Sequence, residues 1–189
     1  MMRQCNECTL CCRLLPVPPL KKRGGERCQH QRHTGCRVYH KAGMPRECAL
    51  WNCRWLVNDD TANLSRPDRS HYVIDLMPDF VEMRNDETSE STPIQVVQIW
   101  VDPRHPEAWR DPDLMAYMER RGLEGIAAII RYGESDSFVV FPPALCGDGE
   151  FHDMRDHGKG ESLKRSHTPA EILGALSSLA TSPTENSNG

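Results

Sequence analysis

The sequence predicts an α+β fold in two parts, a small cysteine-rich N-terminal module followed by a small mixed β-sheet with flanking helices. Eight of the nine cysteines precede residue 54. Residues 1–66 carry twelve Lys/Arg against five Asp/Glu, whereas residues 67–189 carry eleven against twenty-two. Such contrasts in cysteine content and charge indicate separate structural units. We therefore predict a cysteine-cluster module over residues 1–66, an α+β domain over residues 67–180 and a disordered tail over residues 181–189.

Runs of β-branched and aromatic residues predict the strands of the second part. These runs are His71–Met77, Phe80–Arg84, Ile94–Val101, Ile126–Tyr132 and Phe138–Phe141. Between the first two runs, Pro78-Asp79 predicts a tight turn, because proline suits the first central position of a turn. The polar segment Asn85–Pro93 predicts the loop that precedes the third strand.

Capping residues predict two helices. Asp111 and Pro112 provide the N-cap and the first residue of a helix that ends at Gly122. Thr168 begins the second helix, because the run Thr-Pro-Ala-Glu places Glu171 where a capping box requires it. The predicted order is strand, strand, strand, helix, strand, strand, helix, with the helices on one side of a small sheet.

The N-terminal part lacks a regular hydrophobic pattern and needs another source of stability. A core of that size rarely supplies more than ~3–5 kcal/mol. One structural zinc ion supplies ~10–16 kcal/mol of apparent binding energy that is coupled to folding. We expect a cytosolic protein, because the sequence has no signal-peptide apolar region and no run of eighteen apolar residues. Thiols stay reduced in the cytosol, so the cysteines predict a metal-stapled module rather than a disulfide framework.

Eight cysteines form the predicted metal-ligand set: Cys5, Cys8, Cys11, Cys12, Cys28, Cys36, Cys48 and Cys53. The opening Cys-x-x-Cys-x-x-Cys-Cys motif allows successive thiolates to turn toward one ion. Eight thiolates would fill two four-cysteine zinc sites, or one four-iron cluster and one further site. Because Cys11 and Cys12 are adjacent and should point in different directions, we expect them to serve different ions, unless one of them is a spare thiol. Zinc tolerates many spacings, so the pattern alone does not distinguish iron–sulfur from zinc.

Other side chains of the module could support these sites. His30, His33 and His40 could each replace a thiolate as a ligand. Trp51 and Trp55 lie four residues apart beside Cys48 and Cys53. We expect these two indole rings to shield the metal from water.

The cysteine pattern resembles that of a known family. The segments Cys5–Cys12, Cys36–Tyr39 and Met44–Cys53 resemble the YkgJ-type cysteine-cluster proteins, which are described as zinc- or iron-chelating domains. The chain has the Cys-x-x-Tyr variant of one family motif and inverts the Arg-Pro order before Cys48. Flagellin lysine methylases carry a similar cluster, which implies that an iron–sulfur centre is one cofactor available to the fold. The resemblance covers residues 5–56 and implies a metal-binding function in a redox or accessory protein.

The segment from Cys146 to His157 gathers acidic residues and histidines after the last predicted strand. On a helix, His152 and Asp156 would share a face, as would Asp153 and His157, and such pairs can bind metal. No second motif fixes that geometry, so we interpret the segment as a glycine-rich solvated loop.

A basic stretch is the remaining candidate for a binding surface. Its members are Lys21, Lys22, Arg23, Arg27 and Arg32, which we predict to be exposed. Nucleic acid is a weaker hypothesis for the partner, because the whole chain carries −4 and the stretch lacks interleaved aromatic residues. A protein partner is the other possibility for a zinc-stabilised interaction module. No phosphate loop, nucleophile elbow or zinc-protease motif is present, so no motif supports an autonomous enzyme.

Overall fold

The computed structural model describes residues 3–84 and 89–155. These residues form a mixed five-stranded sheet with short helices, which confirms the predicted α+β class. The strands are β1 Tyr72–Arg84, β2 Ser91–Val101, β3 Ala127–Arg131, β4 Ser137–Phe141 and β5 His152–Asp153. The α-helices are α1 Leu10–Leu14, α2 Arg46–Leu50, α3 Arg54–Val57, α4 Pro67–Ser70, α5 Pro112–Gly122 and α6 Pro143–Cys146. Within the described ranges, no helix is long and apolar enough to cross a membrane.

The strands lie side by side in chain order, from β1 to β5. Strands β2 and β3 are parallel, and each of the other three neighbouring pairs is antiparallel. A parallel pair needs a crossover connection. Here the crossover contains a 3₁₀ turn at Pro106–Arg110 and helix α5.

The predicted turn at Pro78-Asp79 is wrong, because the first two predicted strands are one continuous strand. Strand β1 runs through Pro78 and pairs with β2 on both sides of a register shift between Ile74 and Pro78. Proline is tolerated in a strand at an edge or at a bulge, and β1 offers both. Strand β2 also begins at Ser91, inside the segment predicted as a loop.

Helix α5 and the last two predicted strands are confirmed, with small changes at their ends. The Asp111 side chain accepts a hydrogen bond from the backbone N–H of Asp113 at 2.9 Å, as an N-cap residue should. Helix α5 ends at Gly122, as predicted. The short strand β5 was not predicted, and the predicted helix at Thr168 and the predicted tail lie outside the described residues.

The two faces of the sheet bury different partners. On one face, Ile99 and Ile130 pack against Leu114 and Tyr117 of α5. On the other face, Val73 of β1 and Trp100 of β2 pack against the N-terminal part of the chain. The N-terminal part contributes Leu10 and Leu14 of α1 to that second cluster, together with several cysteines. The cysteine-rich segment therefore packs directly on the sheet.

Candidate metal centre

All eight N-terminal cysteines line one cavity of about 290 Å³. The cavity lies between the loops of residues 5–53 and the sheet face that carries Val73 and Trp100. None of the eight is in a disulfide, and all are buried or partly buried. Folding therefore brings the complete predicted ligand set to one place.

Local backbone contacts hold these cysteines in position. The backbone N–H of Cys8 donates to the carbonyl oxygen of Cys5 at 2.8 Å, which closes the turn of the first Cys-x-x-Cys pair. Helix α1 carries Cys11 and Cys12 on successive residues. The backbone N–H of Cys28 donates to the carbonyl oxygen of Cys12 at 3.1 Å and ties the second half of the motif to α1.

Cys8, Cys11 and Cys53 pack against the sheet face that carries Val73 and Trp100, and Cys5 is an electrostatic neighbour of all three. We call these four cysteines the inner group. Burial, together with the nearby charges of Cys5 and Cys8, raises the pKa of Cys53 to about 12. Contact with Cys12 raises the pKa of Cys11, and burial and the charges of Cys8 and Cys5 raise it too. Cys53 is also anchored to the sheet, because its backbone forms an antiparallel bridge with Asp75. Cys53 thus links the inner group to strand β1.

The other four cysteines form an outer group: Cys12, Cys28, Cys36 and Cys48. Burial raises the pKa of Cys36, and the charges of Cys12 and Cys28 add to that shift. Burial likewise raises the pKa of Cys48, with added contributions from Cys12, Cys28 and Cys36. Each member of the outer group is therefore an electrostatic neighbour of others in the same group.

Cys11 and Cys12 stand at the junction of the two groups. A hydrogen-bonding contact with Cys11 is the main cause that lowers the pKa of Cys12 to about 7, and the Lys22 ammonium and Cys36 also lower it. Most of the other thiols have raised pKa values, so they keep their protons at neutral pH without a bound metal. Metal ligation requires thiolates, so binding would release protons.

Aromatic side chains and one buried acid complete the cavity wall. Trp51 and Trp55 line the cavity beside the cysteines, and Trp100 of β2 lines it as well. The Trp51 Nε1–H donates to Asp75 Oδ1 at 2.8 Å, and burial raises the pKa of that carboxyl. Trp100 and Asp75 were not predicted as site residues. The alternation of a strand shows which residues share a face of the sheet, but it does not show which segment of the chain covers that face.

The candidate histidine ligands do not lie together. Among the described residues, His30 lines the cavity, whereas His33 and His40 are exposed and lie outside its lining. The backbone N–H of His30 donates to Cys28 Sγ at 3.4 Å. His30 therefore contributes through its backbone to the surroundings of the outer group.

The basic stretch is exposed as predicted at Lys21, Arg23, Arg27 and Arg32. Lys22 is the exception, since it is only 7% exposed. Its ammonium donates to the carbonyl oxygens at the end of α1, which explains why a charged side chain is buried there.

The prediction for the segment after Cys146 is correct in part. His152 and Asp153 form strand β5, so the helical pairing of His152 with Asp156 does not occur at that end. Residues 147–151 form a loop, as interpreted. Asp156 and His157 lie outside the described residues.

A separate trio, His71, Asp102 and His105, places its potential ligand atoms within 4.8 Å of one another. However, Asp102 is 1% exposed and already accepts hydrogen bonds from Arg13 and Arg104. The two imidazole rings are stacked, with centroids 3.6 Å apart and planes 9° from parallel. Lone pairs of parallel rings do not converge on one ion, and two guanidinium groups repel a cation. The trio therefore does not fit a metal ion. Instead, Asp102 pairs with Arg13, and this ion pair connects α1 to the end of β2.

The donor set of the cavity fits metals that take thiolate ligands, namely zinc and iron in iron–sulfur clusters. Comparison of the chain with known protein families, with curated proteins and with solved structures found no match. The functional argument therefore depends on the geometry of this cavity.

Proposed function

We propose that this protein is a metal-binding protein in which the inner and outer cysteine groups each hold one metal centre. The observation that carries the proposal is the single cavity lined by all eight cysteines, with no thiol of the set left elsewhere. Four thiolates are a complete ligand set for one zinc ion or for one four-iron cluster. The resemblance to the YkgJ-type cysteine-cluster family also implies that the module chelates zinc or iron.

The number of thiolates supports iron–sulfur over a single zinc ion, because eight of them line the cavity and one zinc ion takes four. The resemblance of the cysteine cluster to that of the flagellin lysine methylases adds to this support. We therefore propose iron–sulfur centres and a redox or accessory role.

An iron–sulfur centre would supply one-electron transfer to the site, and the chain would set its properties. Trp51, Trp55 and Trp100 line the cavity wall, and their rings would shield a bound centre from water. The hydrogen bond from the backbone N–H of His30 to Cys28 Sγ would draw negative charge away from a ligand sulfur. Hydrogen bonds to the sulfurs and exclusion of solvent are two of the means by which proteins adjust cluster potentials.

The first test is metal and sulfide analysis of the full-length protein purified without oxygen. We expect iron and inorganic sulfide in comparable amounts, with a brown colour that dithionite bleaches. Zinc is redox-silent and gives no colour. A colourless preparation with stoichiometric zinc would overturn the redox proposal.

Single cysteine variants test the division into two groups. Cys53→Ser should remove the inner centre and about half of the iron, because four thiolates hold each centre. Cys48→Ser should remove the outer centre and leave the inner one. Cys146→Ser is the matched control and should leave the iron and sulfide content unchanged, since Cys146 lies outside the cavity.

The outcome that contradicts the division is equally clear. If Cys53→Ser and Cys48→Ser both lost all iron, the eight cysteines would act as one site rather than two. If both retained full iron, the ligand assignment itself would be wrong.

The alternative function is a zinc-stabilised interaction module for protein or nucleic acid. Exposed Lys21, Arg23, Arg27 and Arg32, on the loops around the cavity, favour it. A negatively charged partner would bind such a surface with a strong dependence on salt. Stoichiometric zinc together with salt-dependent binding to RNA or DNA would make this the better account.

A further inference from the structure

The turn after helix α6 brings together three side chains of different metal-binding types. They are Cys146, Asp148 and His152. One sulfur, one carboxylate oxygen and one imidazole nitrogen from these residues lie within 4.8 Å of one another. Cys146 does not line the N-terminal cavity, so this trio is distinct from the eight-cysteine set.

The backbone of the turn holds this trio in place. Gly147 and Gly149 adopt left-handed conformations, with φ of +75° and +82°, which favour glycine. Gly147 ends α6 through a hydrogen bond from its N–H to the carbonyl oxygen of Pro143 at 2.8 Å. At the other end, His152 in β5 pairs with Phe141 in β4. The turn is therefore closed by a helix on one side and by the sheet on the other.

Hydrogen bonds orient the carboxylate of Asp148 within the turn. Asp148 Oδ1 accepts the backbone N–H of Glu150 at 3.0 Å. Asp148 Oδ2 lies 2.5 Å from His152 Nε2. The side chain of Arg155, a nearby cation, is paired with Asp153. The turn thus presents one acidic ligand group and two that can bind as neutral or anionic atoms, a combination that suits a cation.

We propose that Cys146, Asp148 and His152 form a second kind of metal site, which binds one divalent cation of the zinc class. Sulfur, imidazole nitrogen and carboxylate oxygen are the three ligand types that zinc takes in proteins. Three protein ligands leave a fourth tetrahedral position for water, the pattern of an open site rather than a closed structural one. The site lies on the surface, because Cys146 and Asp148 are exposed. Binding releases the thiol proton of Cys146 to solvent.

The test is a Co²⁺ titration of the full-length protein, purified without oxygen with its N-terminal centres as isolated. The parent should bind one more Co²⁺ per chain than Cys146→Ser, Asp148→Asn or His152→Ala. Each substitution removes a direct ligand, so the affinity of that one ion should fall by at least ten- to a hundredfold, the range already seen for second-shell losses. Loss of the sulfur-to-cobalt charge-transfer band in Cys146→Ser alone would identify the thiolate ligand.

Glu150→Gln provides the matched control. It removes an exposed acid of the same turn whose side chain is not in the trio, so it should bind the same additional Co²⁺ as the parent. Equal Co²⁺ binding by the parent and the three ligand variants would overturn the proposal, as would equal losses in Glu150→Gln. Iron analysis of the same samples separates the two proposals, because Cys146→Ser should lose the Co²⁺ site and keep its iron.

Discussion

At the scale of single residues, Lys22 links the fold to the chemistry of the cavity. Its ammonium is buried and donates to the carbonyl oxygens of Arg13, Leu15 and Arg23. The carbonyls at the end of a helix have no partners within the helix, so these bonds replace the missing ones. The same ammonium faces the thiols of Cys12 and Cys28, and burial lowers the pKa of Lys22. One side chain thus both closes α1 and supplies positive charge to the outer group.

We predict that Lys22→Met destabilises the protein by about 1–3 kcal/mol, because it leaves buried acceptors unsatisfied. The variant should also lose metal from the outer group more readily, since the cation near Cys12 is gone. Lys21→Met is the matched control, because Lys21 is exposed on the preceding residue. Denaturant unfolding without oxygen measures the free energy of unfolding of the two variants. Equal unfolding midpoints for the two variants would show that the buried ammonium has no structural role.

At the scale of elements, prediction succeeded where the deciding contacts are local in sequence. Helix α5 was found from Asp111 and Pro112, and the structure has the expected cap there. The sequence pattern predicts two strands separated at Pro78, whereas β1 is continuous there because it pairs with β2, which lies farther along the chain. Strand β5 was missed because it is two residues long and exists only through its pairing with β4.

The close contact between α5 and the start of α6 gives a prediction at this scale. A Cβ atom at Gly122 would lie 2.9 Å from the Cβ of Pro142 and 3.2 Å from the Cβ of Ala144. Both neighbours are fixed to the backbone, so the segments would have to move apart. Alanine gains up to about 1 kcal/mol of helix propensity over glycine, whereas overpacking costs about 1–3 kcal/mol. We therefore expect Gly122→Ala to lower the free energy of unfolding by about 1 kcal/mol.

Gly133→Ala is the control for that experiment. A Cβ atom at Gly133 meets nothing within 4 Å, and its backbone is not left-handed. Its free energy of unfolding should stay within about 0.5 kcal/mol of the parent. A Gly122→Ala protein as stable as Gly133→Ala would mean that the two segments separate at no cost.

At the scale of the whole molecule, the sequence supplied the members of the candidate site but not its arrangement. The eight cysteines could be chosen from their density and spacing alone. Their division into an inner and an outer group depends on where Cys53 meets Asp75 and where Cys28 meets Cys12, which are contacts between distant segments. Their adjacency predicted that Cys11 and Cys12 point in different directions, but the two side chains are in hydrogen-bonding contact, because the fold turns both toward the same cavity.

The cysteine-rich segment packs on one face of the sheet, and the opposite face buries a cluster whose members come mostly from the second part of the chain. Leu10, Leu14 and Cys53 pack on Val73 and Trp100. The opposite face of the sheet has its own cluster, in which Leu64 is the one fully buried member that precedes residue 67. Loss of metal should therefore affect the sheet unequally, with the face toward the cysteines affected first.

We predict that removing the metal with a chelator exposes the N-terminal loops and the Val73–Trp100 side of the sheet, while the α5 side stays folded. Metal binding and folding are one equilibrium in a module that has little core of its own. Leu114 and Ile130 pack within the cluster on the α5 side, so their amides should keep their protection. Hydrogen exchange before and after chelation, followed by mass spectrometry of peptides, measures this directly. Uniform loss of protection would show that the sheet and the cysteine-rich segment unfold as one cooperative unit, and unchanged exchange near Val73 would show that the metal does not support this interface.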